Sequence, residues 1–195
     1  MMPTLRPAHF ALAVVAAIGV ACGGPADAPT TQEIAPEESP IRACALLTEN
    51  EWTEVLGTKE AEPSEENLRV TSVTPNRFKS SCLLAGEKGW AIIFVERPYM
   101  TRAGSSEALA DTLRGYQQEP AARRDSRLYP ELQGKTIAAY DGLGMPAVTL
   151  TPAETDMQSA ILLVRQTGIT TGLRVEADTI EMARLIAEKA LGRLP

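Results

Sequence analysis

The feature that most limits what this chain can fold into is its division near Cys22. Ahead of that residue, Phe10 to Ala21 reads FALAVVAAIGVA, apolar or small throughout, after a start whose one ionised side chain is the cation Arg6. A transmembrane helix needs roughly 20 apolar residues, so this run is too short to span a bilayer. No polar residue alternates through it to give a helix a solvent face. A cationic start, a short apolar core and small residues at the exit read as a secretory signal over residues 1–21. Behind Cys22, residues 23–40 read GGPADAPTTQEIAPEESP: four prolines, two glycines, four acids and one large aliphatic, Ile34. Such a segment buries too little surface to offset its ordering, so residues 22–40 are expected to form a disordered tether. At about 3.1 Å per residue it reaches on the order of 50 Å. Folding is left to residues 41–195, about 155 residues, a length that suits one domain with a single core.

The exit Gly19-Val20-Ala21-Cys22 resembles the lipobox of lipoprotein signal peptidase, with Gly19 where Leu is usual. Lipidation of Cys22 is the expectation, because plain secretion leaves an unpaired thiol in an oxidising compartment. A thioether-linked diacylglycerol and an acylated amine, of palmitate type, make a stable anchor where a single chain holds only marginally. The mature protein is then tied to a membrane in the cell envelope on the non-cytoplasmic side. Gly23 stands where an inner-membrane retention aspartate would, so the outer membrane is expected if there are two.

Two cysteines remain, Cys44 and Cys82. An even pair in an exported domain reads as a disulfide. It would close a loop of about 39 residues, worth roughly 4 kcal/mol by chain entropy. The alternatives are two buried thiols, or a two-cysteine metal site with no histidine to complete it. The chain's one histidine, His9, lies in the signal. The mature domain therefore lacks the imidazole of Ser-His-Asp, Cys-His and HExxH chemistry. No serine stands three residues before a lysine, which removes the Ser-x-x-Lys type. Carboxylate pairs stay open in principle, yet the acids fall in the tether, the 60–66 segment and helix surfaces. A non-enzyme without cofactor or metal is expected.

The sequence holds 19 Lys and Arg against 25 Asp and Glu, net −6; loss of Arg6 with the signal leaves 18 against 25, net −7. That balance offers no general attraction to nucleic acid or anionic headgroups. The cluster Arg123-Arg124-Asp125-Ser126-Arg127 is a local exception and reads as a solvated loop. Gly142-Leu143-Gly144-Met145-Pro146-Ala147 matches Gly-x-Gly-x-x-Ala, but the chain continues as Val148-Thr149-Leu150-Thr151, a strand and not the helix a dinucleotide needs. It reads as a glycine turn.

Thr48 and Glu51 form a capping box, Leu47 and Trp52 a hydrophobic staple, and Gly57 a stop. An acidic loop over 58–67 precedes a strand at Leu68–Val73. Ser81–Ala85 and Trp90–Glu96 read as a hairpin around 86–89, with the apolar Trp90–Val95 run as a central covered strand. A helix over 106–118 carries Leu109, Leu113 and Tyr116 on one face and stops at Pro120. Further strands are expected at Thr136–Tyr140, Ala147–Thr151, Ser159–Arg165 and Ile169–Ala177. In the last, Thr170, Gly172, Arg174 and Glu176 form a wetter face. A final helix, capped by Asp178 and Glu181 and closed by Gly192, packs Met182, Leu185, Ile186 and Ala190 on the sheet. The pattern predicts one sandwich-like α+β domain, a mainly antiparallel sheet with helices on one face.

Cys44-x-Leu46-Leu47-Thr48, the helix with Glu54-Val55-Leu56-Gly57, and Cys82 opening a strand resemble the head of a bacterial envelope lipoprotein family of unknown function. Asp141-Gly142-Leu143-Gly144, the alternating strand and the closing helix are similar to its tail, so that the likeness spans most of 43–193. The resemblance implies a compact α+β domain similar to photosystem-accessory and nuclear-import-accessory sandwiches and to external sensor domains of bacterial kinases. It carries no catalytic residues. The functional expectation is a non-catalytic binding or interaction module whose partner is an envelope protein. The second expectation is a carrier or sensor of a small apolar ligand, with Trp90, Phe94, Tyr99 and Tyr140 lining its pocket; a carboxylate hydrolase is third.

Overall fold

The computed structural model describes residues 31–71, 76–99, 101–119, 132–153, 159–167 and 169–194. The signal, Cys22, Pro120 and the 123–127 cluster lie outside them. Eight strands run as β1 (Thr31–Glu33), β2 (Ser64–Val70), β3 (Arg77–Gly86), β4 (Gly89–Arg97), β5 (Lys135–Ala139), β6 (Ala147–Pro152), β7 (Ser159–Thr167) and β8 (Ile169–Ala177). The helices are α1 (Glu49–Leu56), α2 (Ser106–Gln118) and α3 (Ile180–Ala190). These strands join one sheet in the order β1-β2-β3-β4-β8-β7-β6-β5, each pair antiparallel. The sheet is thus two four-stranded meanders joined where β4 pairs with β8.

Strand alternation splits the apolar residues between two faces. Cys82, Leu84, Ala91, Ile93, Val95, Ile161, Leu173, Val175 and Ala177 point to one face, where Trp52 and Leu56 of α1 and Ala183, Ile186, Ala187 and Ala190 of α3 cover them. Ile137, Val148, Leu150, Ala160, Leu162 and Val164 point to the other, beneath Leu109, Ala110 and Leu113 of α2. The expected α+β architecture is present, but the three helices among the described residues divide, two on one face and one on the other. The reason lies in the crossover. On leaving β4 the chain passes over β8, with the Tyr99 N–H donating to Thr170 O at 2.7 Å, before α2 settles on β5 and β6.

Local chemistry sets the helix ends. In α1, Glu51 N–H donates to Thr48 Oγ1 and the Thr48 N–H donates back to Glu51 Oε2 at 2.7 Å, the expected capping box. Gly57 ends it at φ 80°. Thr179, and not Asp178, caps α3 by accepting from the Met182 N–H. Asp178 instead accepts from the Trp90 N–H and ties the helix start to the β3–β4 hairpin. Gly192 falls inside a short 3-10 turn, Leu191–Arg193, and not at a left-handed stop. Leu185 is exposed, because α3 turns Ala183, Ile186, Ala187 and Ala190 to the sheet. The turn at 141–146 joins β5 to β6, with Gly144 at φ 70°.

The Cys44–Cys82 disulfide is formed, Cα atoms 5.0 Å apart, and pins the segment before α1 to β3. The Ala43 N–H donates to Ser80 Oγ, and Glu65 accepts from the Cys44 N–H and from Arg42. Glu65 and Glu66 are therefore strand residues, and β2 begins at Ser64 inside the expected acidic loop. The tether expectation is also corrected for residues 31–40. Thr31–Glu33 pair with β2, the Ile34 N–H donates to Asn67 O at 3.0 Å, and Ile34 is buried. Composition predicted disorder because one aliphatic residue is too few to order a segment alone; an open strand edge supplies the missing partners.

Candidate binding groove

α2 reaches only the β5–β6 end of its face. The rest, over β2, β3, β4 and β8, carries no helix among the described residues, and the crossover borders it. A cavity of about 230 Å³ lies there. The register fixes its floor. One row across the sheet is Leu68, Lys79, Glu96 and Gly172; the next is Glu66, Ser81, Phe94, Arg174 and Leu162. Leu150 of β6 and Leu132 close the end beneath α2. Leu132 is held there because Gln117 Nε2 of α2 donates to the carbonyls of Leu132 and Lys135 at 2.6 and 2.8 Å.

Tyr99 stands over Gly172. A Cβ on that glycine would come within 2.5 Å of the ring, so the phenol needs a residue without a side chain below it. Tyr99 is only 8% exposed and lines the cavity, yet its hydroxyl has no hydrogen-bond partner among the described residues. A buried hydroxyl left unpaired costs about 1–3 kcal/mol. Burial, and then the charge of Glu96, push its pKa up, so it stays a proton donor.

The charged side chains are ordered. Glu96 is shared by two cations, Arg77 Nη1 and Lys79 Nζ, both at 3.1 Å. Arg174 stacks on Phe94, 4.2 Å from the ring centroid, with its Nε 3.4 Å from Glu176 Oε1. Burial draws the Arg174 pKa down, and the Glu176 charge opposes that shift. Along the strand order the lining changes from polar at β3 and β4 to apolar at β7 and β6, with Phe94, Tyr99 and Arg174 between. A second depression between α1 and α3, lined by Glu54, Val55, Lys88, Leu185, Glu188 and Lys189, lacks this order; its Lys189 already pairs with Glu54 at 2.7 Å.

Of the four aromatics expected around a pocket, Phe94 and Tyr99 meet in the groove. Tyr140 packs on the opposite core beneath Arg184, and Trp90 sits at the β3–β4 hairpin. The wetter face of the last strand is the groove floor, through Gly172 and Arg174. Leu68, Lys79, Leu132 and Leu162 carry no signal of a site in the sequence, since nothing local brings four distant segments together. β4 is central as expected, but among the described residues it is fully covered on one face only: Ala91, Ile93 and Val95 are buried, whereas Ile92 and Phe94 are half-buried. Among the described residues no helix is long and apolar enough to cross a membrane. Comparison with protein-family models, with curated proteins and with solved structures finds no match to this chain.

Proposed function

We propose that this chain is an exported, membrane-tethered binding module without catalytic activity, and that the groove beside Tyr99 is where it binds. The observation that carries the reading is the buried Tyr99 hydroxyl, unpartnered among the described residues, in a cavity lined by both apolar and charged side chains. Convergent polar groups in an otherwise apolar concavity are the usual form of a small-molecule site. The anchor belongs to the same proposal: a signal over 1–21, a lipid on Cys22, and a domain held in the cell envelope within reach of the membrane. The lipoprotein family resembled by the Cys44–Thr48 head is consistent with such a module.

Native mass spectrometry of the membrane-extracted protein tests both parts. The chain is expected to begin at a lipid-modified Cys22 and to carry a small molecule that dissociates on activation. Hydrogen exchange at Phe94, Tyr99 and residues 172–174 should slow when the stripped protein is returned to a lipid extract of the cells. No bound mass and no protection would remove the groove from consideration. A Cys22→Ser protein that is processed and stays in the membrane fraction would remove the anchor. A protein partner is the second reading, favoured by Leu83, 44% exposed on the same open face; protection centred on Leu83 and Ile92 would identify it.

A further inference from the structure

We infer that the ligand of this groove is a single-chain amphipathic carboxylate, its acyl body lying toward Leu132, Leu150 and Leu162 and its carboxylate reaching Tyr99 and Lys79. The inference rests on the groove being the binding site and adds the chemistry of what it takes. Size limits the ligand to one chain. About 230 Å³ is below the 300–1,000 Å³ of sites for drug-sized ligands, so one chain fits where a two-chain lipid does not. Polarity then requires a headgroup. The lining is apolar at β6 and β7 and ionic at β3 and β4, so a uniformly apolar molecule would bury Lys79 and Glu96 against carbon, at a cost no new hydrogen bond offsets.

The sign of the headgroup is set by the groups that face it. From β3 come Arg77 and Lys79, from β4 Glu96, and from β8 Arg174 with Glu176 at its side; Glu66 of β2 is exposed to solvent at the rim. Among the described residues these two cations, Arg77 and Lys79, divide one carboxylate, and a second carboxylate would give both a further acceptor. A ligand cation would meet Arg77, Lys79 and Arg174 in a partly desolvated site, and the Phe94 ring, the natural seat for a cation, is occupied by Arg174. Among the described residues the Tyr99 hydroxyl has nothing to donate to; a carboxylate oxygen is an acceptor of the strongest kind a side-chain hydroxyl meets.

Isothermal titration of the full mature chain, residues 22–195 produced without the lipid, tests this with three probes below their micelle concentrations: decanoate, decanol and decyltrimethylammonium. Decanoate should bind at least tenfold more tightly than the cation with the same tail. Lys79→Gln should weaken decanoate about three- to tenfold and leave decanol unchanged. Tyr99→Phe should weaken decanoate by a similar factor while the melting temperature of the ligand-free protein rises, because the unpaired hydroxyl is gone. Equal affinity for all three probes, with binding lost when Leu162 is changed to Gln, would overturn the carboxylate and leave the groove as the site. Tighter binding of the cation would do the same. Binding of none of the three probes would overturn the carboxylate chemistry together with the groove on which it depends.

Discussion

Gly172 and Tyr99 show how much one residue position decides. A glycine inside a strand ordinarily weakens it, by roughly 0.5–1 kcal/mol relative to alanine. Here the absent Cβ is what lets the crossover lie on the sheet. Gly172→Ala should cost about 1–3 kcal/mol by overpacking against the Tyr99 ring. The same substitution made on Tyr99→Ala should cost much less, because the clashing ring is gone. Equal costs in both backgrounds, read by urea denaturation, would mean that the ring does not rest on Gly172. Glu51 gives a prediction in pH. The Thr48 backbone N–H first, then the Thr48 hydroxyl and Arg193, hold its carboxyl at about 2 against an ordinary 4.5. A carboxyl whose folded pKa is lowered contributes stability that is complete above its ordinary value and lost as pH falls through the lowered one. Wild type should therefore exceed Glu51→Gln in stability at about pH 6, and the gap should close between pH 4.5 and about 2. A gap independent of pH in that window would show that the capping carboxylate is not the cause.

At the scale of elements, the edge strand β1 separates composition from structure. Thr31, Gln32 and Glu33 are exposed, and backbone pairing to β2 and the buried Ile34 hold them. A spacer reading predicts that removing residues 31–34 changes nothing. The observed packing predicts a loss of about 2–3 kcal/mol for Ile34→Ala, within the range for buried aliphatics truncated to alanine. Chains beginning at residue 31 and at residue 40, compared by thermal unfolding, should differ in the same direction. Identical melting temperatures would return residues 31–40 to the tether. The helices are more legible. The capping box of α1 and the apolar stripe of α2 are evident from spacing, since both depend on residues three or four apart. The cap of α3 lies one residue from its expected place because Asp178 and Thr179 are both good caps. Only the neighbouring hairpin, which claims Asp178 through the Trp90 N–H, decides between them.

Across the whole molecule, the disulfide and the β4–β8 seam join parts that share no local sequence. Cys44 anchors the segment that leads into α1, and that segment closes over the same core as α3. Reduction should cost about 4 kcal/mol by chain entropy, which for a domain of this size lowers the melting temperature by roughly 8–16 °C. Calorimetry with and without reductant reads it directly; a shift under about 2 °C would mean that the linked segment is already fixed by its hydrogen bonds to Ser80 and Glu65. What the chain determined by itself is whatever rests on short spacing or on counting. That covers the α+β class, the Cys44–Cys82 pair, the hairpins with their turns, and the alternation that marks Thr170, Gly172, Arg174 and Glu176 as one face. What only tertiary structure decided is which of these faces meet. Strand alternation states that two residues share a side of the sheet but not what lies over it. The order β1-β2-β3-β4-β8-β7-β6-β5 and a crossover resting on a glycine place Tyr99, Lys79, Arg174 and Leu162 around one cavity. That choice depends on long-range pairing free energies, which no window of neighbouring residues contains.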